Sequence, residues 1–168
     1  MAISAQPIRQ QYTVTDIYRS VPTPVVALAA HANGSEHAMI VSSFNAISDD
    51  PALVSVSIKD GSTTWLHLRT ASELGISVLT SEHNDLLAQS WKLKSHERIT
   101  NYPRTSHGDA IHLKDSPTRL TCDIVDELTV GDHTLVILAV RSIYLDPHLG
   151  LPIVHHNRAV TELVESAA

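Results

Sequence analysis

Cysteine is almost absent from this 168-residue sequence, in which Cys122 stands alone. One cysteine cannot form a disulfide within the chain, and such scarcity is typical of a reducing compartment. Long apolar runs are also missing, since the longest, 25–30 and 135–140, fall far short of the ~18 residues that span a bilayer. The start, 1–11, has no apolar stretch and hence no secretory signal. We therefore expect a cytoplasmic protein without membrane association.

Glycine is scarce, and its positions exclude two nucleotide-binding motifs. The six glycines occur at 34, 61, 75, 108, 131 and 150, and no two have the spacing G-x-G. This excludes the glycine-rich turn of a Rossmann fold and the phosphate loop of nucleotide hydrolases. The nucleophile elbow G-x-S-x-G is absent as well. Because Cys122 lies within an alternating apolar run, we expect it to be a small core residue and not a nucleophile.

Histidine is abundant, with 11 residues, and raises the question of a metal site. The zinc-binding spacings H-E-x-x-H and C-x-x-C do not occur. His155 and His156 are adjacent, so in a strand their side chains point to opposite faces and cannot hold one ion together. The 12 basic residues form no block, and the net charge is −6. The sequence therefore predicts neither a metal site nor nucleic-acid binding.

Short apolar and alternating runs recur along the chain and predict a mainly β protein. The predicted strands cover 25–31, 37–44, 53–58, 74–79, 120–125 and 134–144. Asn33-Gly34 is a hairpin signal between the first two strands. The last strand is nearly all apolar, which implies burial of both faces in a closed barrel or against a second subunit.

Only a few short helices are expected. One is predicted at 16–20, before two prolines, and another at 62–72, where hydroxyl residues can cap its start. A third places Leu86, Leu87 and Trp91 on one apolar face, so we expect all three in the core. So many strands with so few helices favour a β-barrel over a doubly wound sheet.

The segment MIVSSFNAISDDPALVSVSIKDGSTTW, residues 39–65, carries a family resemblance. It resembles the short-chain NAD(P)H:flavin oxidoreductases, the reductase components of two-component monooxygenases, in its S-S-F string, its D-P-x-L-V string and its serine/threonine-rich turn. The triplet Gly131–His133 and the ending at 152–158 are also similar to that family. The resemblance implies an FMN-binding split β-barrel with a few short helices. It predicts an N-terminal arm and short helix at 1–20 and a flavin reductase-like FMN-binding domain at 21–168.

The resemblance also implies a flavin site. The expected cofactor contacts are Ser42, Ser43, Phe44, Lys59, Ser62, Thr63, Thr64, Ser77, His156 and Arg158, and the expected catalytic residue is His133. A flavin ring needs polar groups at one edge, and its phosphate needs anion donors such as hydroxyl groups at a helix start. Ordinary alternatives exist: serines at strand ends cap turns, hydroxyl clusters cap helices, and His133 can simply bond Asp132. Ala52, Ser77 and Ala159 depart from the family pattern, which leaves the implied fold unchanged but affects the expected pocket lining at its C-terminal end.

The function implied by the resemblance is hydride transfer from NADH or NADPH to FMN, with FAD also accepted. Reduced flavin would pass to a separate flavin-dependent monooxygenase, and the reductase would be a homodimer. A non-catalytic FMN-binding electron carrier on the same barrel is the main alternative. An oxidase of the pyridoxamine-phosphate type matches the S-S-F and G-D-H strings less well, and a metal-dependent enzyme is a more distant alternative.

Overall fold

The computed structural model describes residues 13–164, so most of the predicted N-terminal arm lies outside the described residues. The strands are β1 Thr23–Pro24, β2 Val26–Ala32, β3 Ser35–Val41, β4 Asn45–Asp49, β5 Ala52–Lys59, β6 Leu74–Val78, β7 Arg104–His107, β8 Ala110–Leu113, β9 Thr118–Val130, β10 His133–Leu145, β11 Ile153–His156 and β12 Ala159–Glu162. The helices are α1 Val14–Ser20, α2 Thr63–Leu68 and α3 Asn84–Gln89, with 3₁₀ turns at Ser81–His83 and Pro147–Leu149. No helix within 13–164 is long and apolar enough to cross a membrane.

Nine strands form one antiparallel sheet in the order β4-β5-β10-β9-β6-β2-β8-β7, with β3 paired to β2. Strands from distant places in this order contribute side chains to a single apolar cluster. It includes Leu28 of β2, Val56 of β5, Cys122 of β9 and Val136 of β10, with Leu68 of α2. Since these strands share one interior, the sheet curls around it. The predicted split β-barrel with short helices is confirmed.

A second apolar cluster lies on the other face of β2. It joins Ala27 and Ala29 to Leu86 of α3, Ile111 of β8 and Ile153 of β11. The strand β11 belongs to a small sheet with the order β1-β11-β12. Because both faces of β2 are covered, the run of buried residues along this strand is almost continuous.

Two local features show why the chain turns and packs as it does. Asn33 and Gly34 have positive φ angles of 52° and 78°, which is the conformation of the predicted hairpin turn. Gly75 of β6 lies against the backbone of Ile111, where a Cβ atom would come within 2.0 Å of the carbonyl oxygen. Any larger residue at this position would force β6 and β8 apart.

Three expectations about helix length and burial are wrong. The predicted helix at 62–72 ends at Leu68, and the third helix ends at Gln89. Trp91 therefore lies beyond the helix and is 76% exposed, not in the core. The last predicted strand, β10, is expected to be buried on both faces along its length. Its C-terminal end is instead exposed to solvent, and Ile143 is 62% exposed.

Candidate functional site

The S-S-F string links β3 to β4 and divides its three residues between different environments. Ser42 is exposed. Ser43 turns inward: its hydroxyl donates to the carbonyl oxygen of Ser57 at 2.8 Å and accepts from the Ser57 N–H at 2.9 Å. Phe44 is partly buried against the first apolar cluster. Of the three, only Ser42 has a side chain free to meet a ligand without leaving another contact.

The end of β5 lies beside the start of β10. Lys59 is the register partner of His133, and the Asp60 N–H donates to the carbonyl oxygen of Asp132. The Nδ1 atom of His133 is hydrogen-bonded to Asp132 Oδ1 at 2.8 Å, while 42% of the His133 side chain is exposed. That bond, with the charge of His133, lowers the pKa of the Asp132 carboxyl group. A carboxylate therefore fixes the imidazole by Nδ1 and leaves Nε2 available.

The hydroxyl cluster before α2 is divided in the same way. Ser62 is the N-cap, and its hydroxyl accepts from the Trp65 N–H at 3.3 Å. Thr63 is exposed, whereas Thr64 is buried and its hydroxyl accepts from Arg98 Nη1 at 3.2 Å. Ser62 thus has the ordinary capping role, while the two threonines face a neighbouring cavity.

This cavity, which we call the cationic pocket, has a volume of about 420 Å³. Its lining combines residues of α2 and β3 with the segment that follows α3. The lining residues are His37, Thr63, Thr64, His67, Lys92, Leu93, Lys94, Ser95, His96 and Arg98. None of them is acidic, so the pocket presents three permanent positive charges and several neutral donors to an anion.

Arg98 holds the segment after α3 in place. Its Nε atom donates to the carbonyl oxygens of Ser90 and Leu93, and its Nη1 atom donates to that of Ala38 and to the Thr64 hydroxyl. Burial lowers the pKa of this guanidinium group. Among the described residues, Nη2 has no hydrogen-bond partner that would occupy it. Arg98 therefore connects β3, α2 and this segment, and keeps donors for a bound group.

Three histidines line the wall of the cationic pocket. The rings of His37 and His67 are stacked, with centroids 4.2 Å apart and an interplanar angle of 3°, and His96 meets His37 edge-on at 6.4 Å. A hydrogen bond of 2.8 Å joins His37 Nδ1 to Ser95 Oγ. Burial, followed by the charges of the two neighbouring rings, lowers the pKa of His37. Within residues 13–164, no group of three or more potential ligands is arranged to hold a metal.

A second cavity, the hairpin cleft, lies between α2 and the β9–β10 hairpin and has a volume of about 380 Å³. Glu127 forms one wall: it accepts from Trp65 Nε1 at 2.7 Å and from Arg69 Nη2 at 2.6 Å. Lys59 and Thr134 line the cleft near the His133 end of the hairpin. Its mixed charges suit no anion as clearly as those of the cationic pocket.

Three predicted contact residues lie apart from this group. Ser77 of β6 is 1% exposed and is the register partner of Ala27, and its hydroxyl accepts from the Leu113 N–H. His156 and Arg158 lie at the β11–β12 turn in the small sheet, beside α1. The structure therefore joins Ser43 to β5, pairs Lys59 with His133, and places Thr63 and Thr64 in the cationic pocket. Among the described residues, Ser77, His156 and Arg158 line neither cavity.

The sequence reasoning missed the segment that supplies most of the positive charge. Lys92, Lys94, His96 and Arg98 occupy every second position in the run K-L-K-S-H-E-R. That spacing was the available signal, because counting basic residues over the whole chain shows no block. All four line the cationic pocket. The donor set fits the phosphate of a flavin nucleotide, with Thr63, Thr64 and Arg98 as the residues that would hold it.

Comparisons with known proteins agree with this fold. Residues 18–163 match the family described as "Flavin reductase like domain". The NADH-dependent FMN reductase AsuE2 of Streptomyces nodosus subsp. asukaensis is 31% identical over 152 residues, which are 85% of this chain and 80% of that protein. The NADH-dependent flavin reductase StyB of Pseudomonas fluorescens is 29% identical over 71% of this chain and 70% of its own length.

Solved structures show the same architecture. A putative flavin reductase from Haemophilus somnus superposes with a TM-score of 0.82 at 21% identity, over 89% of this chain and 96% of that one. The flavin reductase HpaC, solved with NADP+, gives a TM-score of 0.78 at 22% identity over the same shares of both chains. With a family match from residue 18 to residue 163, the chain belongs to the flavin reductase-like family.

Proposed function

We propose that this chain is an NAD(P)H:flavin oxidoreductase that transfers a hydride from NADH or NADPH to FMN, and that it also accepts FAD. The observation that carries the proposal is the cationic pocket, which Thr63, Thr64 and three permanently charged basic residues line without any acidic residue. The name of the relative AsuE2, an NADH-dependent FMN reductase, supports the choice of substrates.

The pocket residues bind the phosphate of the flavin nucleotide. The hydroxyls of Thr63 and Thr64 donate hydrogen bonds, and Arg98 adds a charged donor that is already fixed by four contacts to oxygen atoms. Because Arg98 is held before the ligand arrives, little side-chain entropy is lost on binding. Ser42, which is exposed after β3, and Lys59, which pairs with His133, provide polar contacts for the flavin edge.

His133 orients the nicotinamide substrate. When bound, the flavin supplies the electrophilic ring that accepts the hydride. The protein contributes close positioning of the two rings, and no base is required at the carbon that donates the hydride. The hydrogen bond to Asp132 fixes the ring of His133, so Nε2 can bind a polar group of the dinucleotide. His156 and Arg158, at the β11–β12 turn, remain proposed cofactor contacts.

We also propose that the chain assembles as a homodimer. Apolar residues on the β9–β10 ribbon, among them Leu128 and Ile143, are 45% and 62% exposed, which supports a homodimer. One structure of similar fold is the flavin reductase component of a bacterial two-component tryptophan halogenase. We extend that division of labour to this chain, with a separate monooxygenase as acceptor of reduced flavin. We further propose that the chain consists of an arm with a short helix at 1–20 and a flavin reductase-like domain at 21–168. We expect its location to be cytoplasmic.

Activity is tested by following the absorbance of NADH and NADPH with FMN, FAD or riboflavin as acceptor, after recording the visible spectrum of the purified protein. We expect oxidation of at least one dinucleotide that depends on added flavin. If the protein binds flavin tightly but oxidises neither dinucleotide with any flavin, the reductase proposal is wrong. The chain would then be a non-catalytic FMN-binding electron carrier with the same fold.

The phosphate assignment is tested with Arg98→Gln. We expect the KM for FMN to rise roughly tenfold or more, because a charged hydrogen bond is lost, while the KM for riboflavin changes little. Arg104→Gln is the matched control, because Arg104 is also partly buried and donates to the carbonyl oxygens of Ile99, Thr100 and Tyr102, outside the pocket. Equal losses for FMN and riboflavin in Arg98→Gln would show that the phosphate binds elsewhere.

A further inference from the structure

Trp91 has an unusual position for so large an apolar side chain. It lies two residues beyond the end of α3 and is 76% exposed, whereas Trp65, the other tryptophan, is 6% exposed. An indole ring is among the largest apolar surfaces a residue can offer, and leaving it in water gives up the free energy of burial. An exposed aromatic ring of this kind is well suited to stack on a flat ligand.

Trp91 directly precedes the segment that lines the cationic pocket, and Lys92 connects the two. The Nζ atom of Lys92 lies 4.9 Å from the centroid of the Trp91 ring, and the same lysine lines the pocket. The exposed ring and the pocket are therefore neighbours, joined by one side chain. Lys94 lines the pocket two residues further along.

The pocket has more positive charge than one phosphate group requires. If Thr63, Thr64 and Arg98 hold the flavin phosphate, Lys92 and Lys94 remain without an assigned anion. Within the described residues, neither lysine side chain is part of an ion pair. A volume of about 420 Å³ is also within the range of pockets that hold nucleotide-sized ligands.

We propose that Trp91, Lys92 and Lys94 form a subsite for an adenosine diphosphate group. The indole ring stacks on the adenine base, and the two ammonium groups bind the diphosphate. Two substrates of the proposed reaction contain this group, FAD and NADH, and FMN does not. The inference rests on the proposed function for the identity of those substrates, but the subsite itself recognises the adenosine diphosphate.

The subsite is tested without a flavin by titrating the wild-type protein with ADP and recording tryptophan fluorescence. Stacking on adenine should quench the emission of Trp91, and the quenching should be lost in Trp91→Phe if the signal comes from that residue. The titration contains no FMN, so its result does not depend on reductase activity. Absence of ADP binding by fluorescence and by calorimetry would overturn the proposal.

The variant Trp91→Ala then shows whether FAD or NADH places its adenosine diphosphate group in the subsite. Base–aromatic stacking corresponds to about 5- to 150-fold in affinity. If FAD uses the subsite, its Kd rises by that factor while the Kd for FMN changes less than about twofold. If NADH uses it, the KM for NADH rises instead, with FMN as acceptor. Tyr18→Ala is the matched control, because Tyr18 is a 70% exposed aromatic residue on α1.

The lysines provide an independent measurement. Lys92→Ala and Lys94→Ala should each weaken ADP several-fold, and the loss should shrink as salt is raised. Lys114→Ala, an exposed lysine after β8, should leave ADP binding unchanged. If FMN is bound and reduced normally while all three subsite variants leave ADP, FAD and NADH unaffected, the subsite is wrong and the proposed function stands. If ADP binds as expected but no flavin is reduced, the subsite stands and the proposed function fails.

Discussion

The Ser43 hydroxyl bonds both backbone polar groups of Ser57, donating to the carbonyl oxygen at 2.8 Å and accepting from the N–H at 2.9 Å. In the sheet, β3 pairs with β2 and β5 pairs with β4 and β10. The Ser43 side chain therefore connects the end of β3 to β5, two strands that do not pair with each other in the sheet.

This relationship predicts opposite outcomes for two neighbouring serines. Ser43→Ala removes the partner of two backbone groups and should lower the free energy of unfolding by about 1–3 kcal/mol. Ser42→Ala should change stability by less than about 0.5 kcal/mol, since Ser42 is exposed. Urea denaturation of the two variants decides between them. A larger loss in Ser42→Ala would mean that the two serines have the reverse roles.

His133 and Asp132 predict a graded effect on catalysis. His133→Ala should lower kcat/KM for the dinucleotide by roughly tenfold or more, because the nicotinamide loses a positioning contact. Asp132→Asn should have a smaller effect, since it keeps a hydrogen-bond acceptor but loses the charge. His148→Ala changes an exposed histidine far along the chain and should be neutral. Stopped-flow hydride transfer at saturating FMN is the measurement, and wild-type rates in His133→Ala would remove this residue from the site.

The fold could be read from the sequence where local signals and burial agree. Asn33-Gly34 predicts its hairpin because two residues alone determine the turn, and Cys122 alternates with polar neighbours on a strand that covers the core. The prediction that Trp91 lies in the core is wrong because its spacing from Leu87 fits a helix, whereas the helix ends at Gln89. The helical period says where a side chain would point, but not where the helix stops.

The site was predictable only in part, for a related reason. Thr63 and Thr64 belong to a contiguous motif, so the sequence shows them as a group. Lys94 and Arg98 reach them across the fold: Arg98 meets Thr64 over 34 positions of sequence. A ligand pocket assembled from distant segments has no local pattern, and the sequence shows only its individual parts.

The exposed β9–β10 ribbon predicts a dimer interface. Leu128 and Val130 are 45% and 48% exposed in the single chain, and a second copy would cover them. We expect light scattering after gel filtration to give a dimer for the wild type and a monomer for the Leu128→Glu, Val130→Glu double variant. Leu66→Glu, at a 59% exposed position on α2, is the control and should remain dimeric. A wild-type monomer at micromolar concentration would exclude this interface.

Cys122 should be chemically silent in the folded protein. Its side chain is fully buried in the first apolar cluster, and burial, with a smaller effect of the Asp123 charge, raises the pKa of its thiol to about 12. Because the thiolate is the reactive form, labelling by iodoacetamide at pH 8 should be negligible until guanidinium unfolds the chain. Rapid labelling under native conditions would show that β9 opens locally.

Stability should fall as the pH drops below about 6.5, and His83 should account for part of that fall. His83 is 1% exposed, its Nδ1 atom accepts from the Thr80 N–H at 3.1 Å, and burial lowers its pKa even though Asp115 acts in the opposite direction. In the unfolded chain a histidine has a pKa near ~6.5. Between the folded pKa and that value the unfolded state binds more protons, so the free energy of unfolding rises with pH and levels off above it.

The contribution of His83 is measured by urea denaturation at pH 7.5, 6.5 and 5.5. In His83→Asn, which keeps an acceptor for Thr80 but does not titrate, the loss of stability between pH 6.5 and 5.5 should be smaller than in the wild type. His148→Asn, at an exposed position, should retain the wild-type slope. If His83→Asn has the same pH dependence as the wild type, the buried ring does not oppose protonation. The acid sensitivity would then come from other groups, such as His37 and His112, whose pKa values are also lowered by burial.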